Sequence, residues 1–196
     1  SLADILMKRR SSREFSDSAL TIQTLSTILF YVWGEQGKLK SDNFGELLKK
    51  TSPSGGARHP IEVYPVIFNI KGLKAGVYHY SVKNHALAEI KQGDFRQNLY
   101  EAANRQAWIE DATVCFVMSA IFKRVSWKYR NERGLRTILL DAGHLSQTLY
   151  LVTTALGLGC CISSAFTDSA VEGLLGIDGI TEASISISAV GKLRSH

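Results

Sequence analysis

The eleven residues ATVCFVMSAIF, at positions 112–122, constrain the fold more than any other stretch of the chain. A strand with one solvated face alternates apolar and polar side chains, whereas this run is apolar almost throughout. Such a strand belongs in the middle of a sheet whose two faces are both covered. The run therefore predicts a layered structure with helices on each side of a central sheet.

The flanking segments supply the elements for these layers. Thr21 is predicted to cap a helix that ends at Gly34, since Leu25, Ile28 and Val32 share one face. Further helices are predicted at 3–9, 94–104, 134–157 and 168–176, and strands at 61–70, 76–82, 86–90, 112–122, 160–166 and 183–191. This order predicts an α+β fold. The helix at 134–157 is too apolar for a surface position, so we expect it in a core or an oligomer interface.

Residues 35–60 are polar and rich in glycine, and they predict a long loop with at most a short helix around Phe44 to Lys50. The segment ends in TSPSGGARHP, where Gly55 and Gly56 allow the backbone to approach a ligand closely. A loop of this length is usually either functional or mobile.

Composition narrows the classes of function. A length of 196 residues favours a single domain, 1–196, and the net charge of +5 is spread along the chain without a basic tail. Nucleic acid is therefore not the expected partner. Three cysteines without a C-x-x-C pair predict a reducing, cytoplasmic setting and no metal site. No apolar run is long enough for a membrane span.

Two segments have side chains suited to binding or catalysis. Arg9, Arg10 and Arg13, with the hydroxyl of Ser11, could bind a phosphate, although a solvated helix end would look the same. Asp141 and His144 lie three residues apart and could pair on one helix face. We expect a structural contact there, because no nucleophile motif accompanies the pair.

The stretch RVSWKYRNERGLR, 124–136, lies between the central strand and the long helix. It contains adjacent Lys128 and Tyr129. A lysine becomes a general base when desolvation or nearby cations lower its pKa, and the arginines at 124, 130, 133 and 136 could provide such a field. A solvated basic turn is the alternative interpretation.

Three motifs in this order resemble the FMN-dependent nitroreductase superfamily: RRSSREF, PSGGARHPIEVY and LLDAGHLSQTLYLVTTALGLG. The likeness extends over nearly the whole chain. The combination of PSGGARHP with WKYRNERGLRTILLDAGH is most similar to the SagB-type dehydrogenases, the azoline oxidases that form thiazoles and oxazoles in modified peptides.

The resemblance implies a three-layer fold with a central, mostly antiparallel sheet, an intertwined homodimer formed around helix 134–157, and bound FMN. It implies that Lys128 and Tyr129 are catalytic. The FMN phosphate and ribityl chain would contact Arg9, Arg10, Ser11 and Arg13, with Lys192 or Arg194 near the phosphate. The flavin would contact Pro53, Ser54, Gly55 and Gly56 of the partner subunit, with Arg58 nearby, and Ser163, Ser164 and Ala165 near ring atom N5.

The implied activity is FMN-dependent oxidation of a thiazoline- or oxazoline-type ring to the azole in peptide natural-product biosynthesis. The substrate would be a small molecule or peptide carrying the heterocycle, and the enzyme could work within a biosynthetic complex. Two alternatives stay open, namely an NAD(P)H-dependent nitro or quinone reductase and a flavin-binding scaffold subunit without chemistry of its own.

Overall fold

The structure is a computed structural model that describes residues 1–42, 45–129 and 132–194. Its helices are α1 Leu2–Lys8, α2 Ile22–Trp33, α3 Arg96–Ala102, α4 Lys123–Ser126, α5 Arg133–Ala155 and α6 Asp168–Leu175. Its strands are β1 Leu20–Thr21, β2 Glu35–Ser41, β3 Gly45–Lys50, β4 Ile61–Ile67, β5 Ile70–Lys71, β6 Gly76–Ser81, β7 Ala86–Gln92, β8 Val114–Ile121, β9 Leu158–Ser163 and β10 Glu182–Lys192.

In the described part of the chain, the main sheet has six strands in the order β7-β6-β4-β8-β10-β9. Every neighbouring pair is antiparallel. Strand β8 lies inside the sheet, and its alternate side chains enter two different cores: Phe116 and Met118 face one, Cys115 and Val117 the other. This two-sided burial is the reason that the run at 112–122 is apolar throughout, and it confirms the layered α+β prediction.

The two helical layers cover opposite faces of the sheet. Helices α2 and α5 supply buried side chains to the core on the Phe116 side, among them Leu29 and Leu149. Helices α3 and α6 supply Leu99 and Leu174 to the core on the other side. Because α5 runs beneath the sheet and ends where β9 begins, residues along its length lie close to several loops.

Helix α5 has a second apolar face that this chain leaves open. Ile138 and Leu149 are buried, whereas Leu135, Leu139 and Leu140 are 52%, 53% and 58% exposed. The broad apolar face predicted from the sequence is therefore two faces, one packed in the core and one on the surface. Large apolar side chains grouped on one exposed helix face mark an interaction surface more often than a solvated one.

The prediction of a loop with at most a short helix over the first part of residues 35–60 is wrong. Strands β2 and β3 form an antiparallel hairpin. Lys38 Nζ and Glu46 Oε2 form an ion pair across it at 2.8 Å. Phe44, the expected start of the helix, lies outside the described residues. Among the described residues β2 and β3 form a two-stranded sheet of their own, and the cross-strand contacts that stabilise it join positions that a local sequence pattern does not relate.

Helix boundaries follow the predictions with small differences. Thr21 caps α2, since its Oγ1 accepts the Thr24 amide at 3.1 Å. Gly34 ends that helix with extended backbone angles and not as a left-handed cap. Glycine is needed there because a Cβ would lie 2.4 Å from the carbonyl oxygen of Phe30. Helix α3 begins at Arg96, whose amide donates to the Asp94 carboxylate at 2.9 Å.

Candidate active site

The loop that joins β3 to β4 is fixed by one buried carboxylate. Asp141, only 3% exposed on α5, accepts the Ser54 hydroxyl at 2.5 Å and the Gly55 amide at 3.1 Å. Ser54 Oγ in turn accepts the His59 amide at 2.8 Å, so its hydroxyl bridges the helix and the far side of the loop. Asp141 thus anchors the SPSGG segment. Among the described residues Asp141 makes no hydrogen bond to His144. Its structural contact is with Ser54 and Gly55 instead.

Lys128 and Tyr129 converge on that loop at Gly56. A Cβ added to Gly56 would lie 2.6 Å from Lys128 Nζ and 3.0 Å from the Tyr129 hydroxyl, closer than atoms pack. Gly56 also has a φ of +63°, a conformation that favours glycine. The Lys128 ammonium lies 5.5 Å from the centroid of the Tyr129 ring. A primary amine and a phenol therefore meet within the same few ångströms.

The turn that carries this pair is held by both backbone and side-chain contacts. Buried Val125 accepts the Lys128 and Tyr129 amides at 3.1 and 2.9 Å, which continues the turn beyond α4. Arg58 places its guanidinium 4.8 Å from the Trp127 ring, while its Nε donates to the Gly56 carbonyl at 2.8 Å. The stretch 124–129 and the PSGGARHP loop are thus one packed unit. Arg130, expected to act on Lys128, lies outside the described residues.

A cationic cavity of about 530 Å³ lies between the RRSSREF segment, the end of α5 and the C-terminal strand. It is lined by four of the residues predicted to contact the FMN phosphate and ribityl chain: Arg10, Ser11, Arg13 and Arg194. Guanidinium and hydroxyl donors around one cavity suit a phosphate group. Arg9 lies to one side of them, with its guanidinium 5.3 Å from the centroid of the Tyr150 ring.

Tyr150 is a residue of this region that the sequence analysis missed. Its hydroxyl is hydrogen-bonded to Ser11 Oγ at 2.8 Å and accepts the Ile162 amide at 3.3 Å. Burial raises the pKa of this hydroxyl above its ordinary value. Tyr150 therefore ties the arginine-rich segment to β9. A tyrosine in the TLYLV run near the end of α5 was the available signal.

Strand β9 connects the cationic cavity to the SSA segment. Leu158 at its start lines the cavity, and Ser163 lies about 17 Å away at its end, at roughly 3.3 Å per residue. The Ser163 hydroxyl accepts the Ala165 amide at 3.1 Å, and Gln106 donates to both Ser163 Oγ and the Ala165 carbonyl. Ser164 and Ala165 are exposed.

The expected site residues therefore form separate groups within this chain. Arg10, Ser11, Arg13 and Arg194 share the cavity, Ser163 to Ala165 follow the far end of β9, and the loop at 53–58 packs against Lys128 and Tyr129. Among the described residues, no set of three His, Cys, Asp or Glu side chains could hold a metal ion, and no helix is long and apolar enough to cross a membrane.

Comparison with known proteins identifies relatives over most of the chain. Residues 6–192 match the nitroreductase family. The Methanocaldococcus jannaschii protein named "Putative nitroreductase MJ1384" is 36% identical over 176 residues, which cover 90% of this chain and 84% of that protein. The trifolitoxin-processing protein TfxB of Rhizobium leguminosarum is 30% identical over 181 residues. That match covers 90% of this chain but spans only about half of TfxB, 48%.

Solved structures share the fold. The crystal structure of a protein from Anabaena variabilis, named "putative nitroreductase", superimposes with a TM-score of 0.82 at 30% identity. The match covers 87% of this chain and 35% of that one. The Escherichia coli microcin synthetase McbBCD complex, with a truncated pro-MccB17 bound, contains a chain that matches with a TM-score of 0.79 at 27% identity. That match covers 96% of this chain and 70% of the other.

Proposed function

The chain belongs to the nitroreductase family, and from that premise we propose that it is an FMN-dependent oxidase that converts an azoline ring of a peptide into the azole. Its relatives include a trifolitoxin-processing protein and a subunit of a microcin synthetase complex. Those relationships support a role in peptide natural-product biosynthesis, with a heterocycle-bearing peptide as substrate and a multi-protein complex as the setting.

The FMN site proposed here runs along β9. Arg10, Arg13 and Arg194 would hold the phosphate through charge-assisted hydrogen bonds, with Arg9 and Ser11 beside them. The ring would reach the segment 163–165 at the other end of the strand. The donor set fits a phosphate monoester, and the length of β9 separates the two contact regions as an extended ligand requires.

Conversion of an azoline to an azole removes one proton and one hydride from the ring. Lys128 would take the proton on Nζ, and the Tyr129 hydroxyl would orient the ring and support the developing charge. Bound FMN would supply the hydride acceptor, with oxygen or another oxidant as the final acceptor of the two electrons. Arg58 and Trp127, packed against the loop, would keep the amine and the phenol in position.

The convergence of Lys128 Nζ and the Tyr129 hydroxyl at Gly56 is the observation that carries this proposal. A general base and a hydrogen-bond donor must reach the same substrate ring together, and this geometry brings the two groups close to one point. Lys128 is exposed and Tyr129 is half-buried, so both groups are accessible to a substrate while they lie against Gly56.

The test is turnover of a thiazoline-containing peptide by the FMN-loaded protein, with product detected by mass spectrometry as loss of two hydrogens. Lys128→Ala should keep FMN and lose roughly 100-fold or more in turnover, since general base catalysis contributes about that much. Lys123→Ala, an exposed lysine on the preceding helix, is the matched control and should retain activity. Full turnover by Lys128→Ala would remove the proposed base.

We further propose that the open face of α5 forms a homodimer, with the loop at 53–56 contacting the flavin of the partner subunit. Leu135, Leu139 and Leu140 line a cavity of about 440 Å³ on that face. Leu139→Glu should convert the dimer to a monomer by light scattering and lower FMN affinity together. Unchanged mass would contradict this interface.

The likeness to MJ1384 favours one alternative, an NAD(P)H-dependent nitro or quinone reductase on the same fold. Rapid anaerobic bleaching of the bound flavin by NADPH, at a rate that supports turnover of a quinone, would establish this activity. A scaffold subunit without chemistry would instead support a full biosynthetic complex when Lys128 and Tyr129 are both replaced by alanine.

A further inference from the structure

A further cavity, of about 480 Å³, lies between the β2–β3 hairpin and strands β4 and β6. We call it the Lys50 cleft and define it by Lys50, His59, Glu62, His79, Lys83 and Arg124, all of which line it. Ala57 and Arg58 also face the cleft, and they follow Gly56 directly in the chain. The cleft therefore adjoins the loop on which Lys128 and Tyr129 converge.

The Glu62 carboxylate that lines the cleft is already paired on both oxygens. Glu62 pairs with Arg124 Nη1 at 2.5 Å through one oxygen and with His79 Nε2 at 2.6 Å through the other. Burial alone would raise the pKa of the Glu62 carboxyl, but these two partners outweigh it and hold the pKa below its ordinary value. Glu62 thus remains an anion with both oxygens occupied.

The positive charges of the cleft have unused donors. Arg124 uses only Nη1, which donates to Glu62 and to the His59 carbonyl, so its Nε and Nη2 groups make no hydrogen bond to the described residues. The Lys50 ammonium likewise makes no hydrogen bond or ion pair within the described ranges. Burial lowers its pKa to about 8, opposed by Glu62 and aided by Arg124. A bound anion would stabilise the desolvated Lys50 ammonium and could accept hydrogen bonds from Nε and Nη2 of Arg124.

We propose that the Lys50 cleft binds a carboxylate of the peptide substrate, held by Lys50 and the free donors of Arg124, beside the ring being oxidised. A carboxylate fits better than a phosphate because Glu62 and Glu35 also line the cleft, and their repulsion grows with the charge of the ligand. The positioning role rests on the proposed function. The carboxylate site itself does not.

The test measures binding without turnover, so it succeeds or fails independently of azoline oxidation. The probe is a fluorescein-labelled, end-capped Gly-Glu-Gly-Glu-Gly peptide, compared by anisotropy with its glutamine counterpart at low salt. Lys50→Gln should weaken binding of the glutamate peptide at least tenfold and leave the glutamine peptide unaffected, whereas Lys50→Arg should retain binding.

Lys49→Gln is the matched control, because Lys49 is the exposed neighbour on the same strand and carries the same charge. It should bind like the wild type. Equal binding of the two peptides, or equal losses in Lys49→Gln and Lys50→Gln, would overturn the carboxylate site. Displacement of the glutamate probe by 2′,5′-ADP at far lower concentration than by unlabelled peptide would reassign the cleft to a phosphate ligand and so contradict the proposal.

Discussion

Replacement of Asp141 should destabilise the protein and disorder its active-site loop together. The carboxylate is buried and accepts two hydrogen bonds, from the Ser54 hydroxyl and the Gly55 amide. Asp141→Ala removes both and leaves two donors without an acceptor. Asp141→Asn keeps the shape of the side chain and can still accept the Gly55 amide, while its amide group faces Ser54.

The expected magnitude follows from these contacts. A hydrogen bond to a charged group contributes about 1.5–3 kcal/mol, so two of them give roughly 3–6 kcal/mol of unfolding free energy for Asp141→Ala. At a shift of about 2–4 °C per kcal/mol, the melting temperature should fall by roughly 6–24 °C. Asp141→Asn should lose about half as much, because one of the two bonds survives.

Calorimetry and urea unfolding measure the loss, and His144→Ala on the exposed side of the same helix is the control. That control should stay within about 0.5 kcal/mol of the wild type, as surface substitutions usually do. Because Gly56 moves with the loop, turnover of Asp141→Asn should also fall while FMN stays bound. An Asp141→Ala protein as stable as His144→Ala would refute the anchoring role.

Three further predictions concern single side chains. Gly56→Ala should cost about 1–2 kcal/mol, because the residue is left-handed and its Cβ would meet Lys128 Nζ, and it should lower turnover more than FMN affinity; unchanged turnover would contradict the contact. Arg13→Gln should weaken FMN binding about tenfold or more, measured by flavin fluorescence. Arg105→Gln should not, because Arg105 is an exposed arginine that follows α3 and pairs with Glu101. The Glu62 carboxyl has a lowered pKa, so its stabilisation is complete above pH about 4.5 and is lost as the pH falls through the folded-state value. Glu62→Gln should therefore be roughly 2 kcal/mol less stable than wild type at neutral pH, with the difference shrinking below pH 4.5 in urea titrations; a constant difference would contradict the pairing.

Elements could be predicted from the sequence where the pattern of apolar residues follows directly from which faces are buried. Strand β8 is apolar on both faces because both are buried, and α5 repeats its apolar positions with helical spacing over six turns. The β2–β3 hairpin gave no such signal. Its strands are mostly solvated and stabilise each other through cross-strand pairs, so a polar, glycine-rich segment indicated a loop instead.

For the candidate site, the sequence predicted which segments take part but not how they contact each other. The motifs indicated which loops matter, and the cationic cavity assembled from the expected Arg10, Ser11, Arg13 and Arg194. The contacts that organise the loops join residues far apart in the chain, such as Ser54 with Asp141. The Lys50 cleft is assembled from a hairpin, two strands and a short helix, and single-sequence patterns carry no information on such assemblies.

The central claim is that Lys128 removes a ring proton as the electrons leave the substrate. Anaerobic stopped-flow mixing of FMN-loaded protein with a thiazoline peptide measures this step directly through loss of flavin absorbance. We expect rapid bleaching in the wild type and in Lys123→Ala, and bleaching at least about 100-fold slower in Lys128→Ala with equal FMN content. Equal bleaching rates in all three proteins would contradict it.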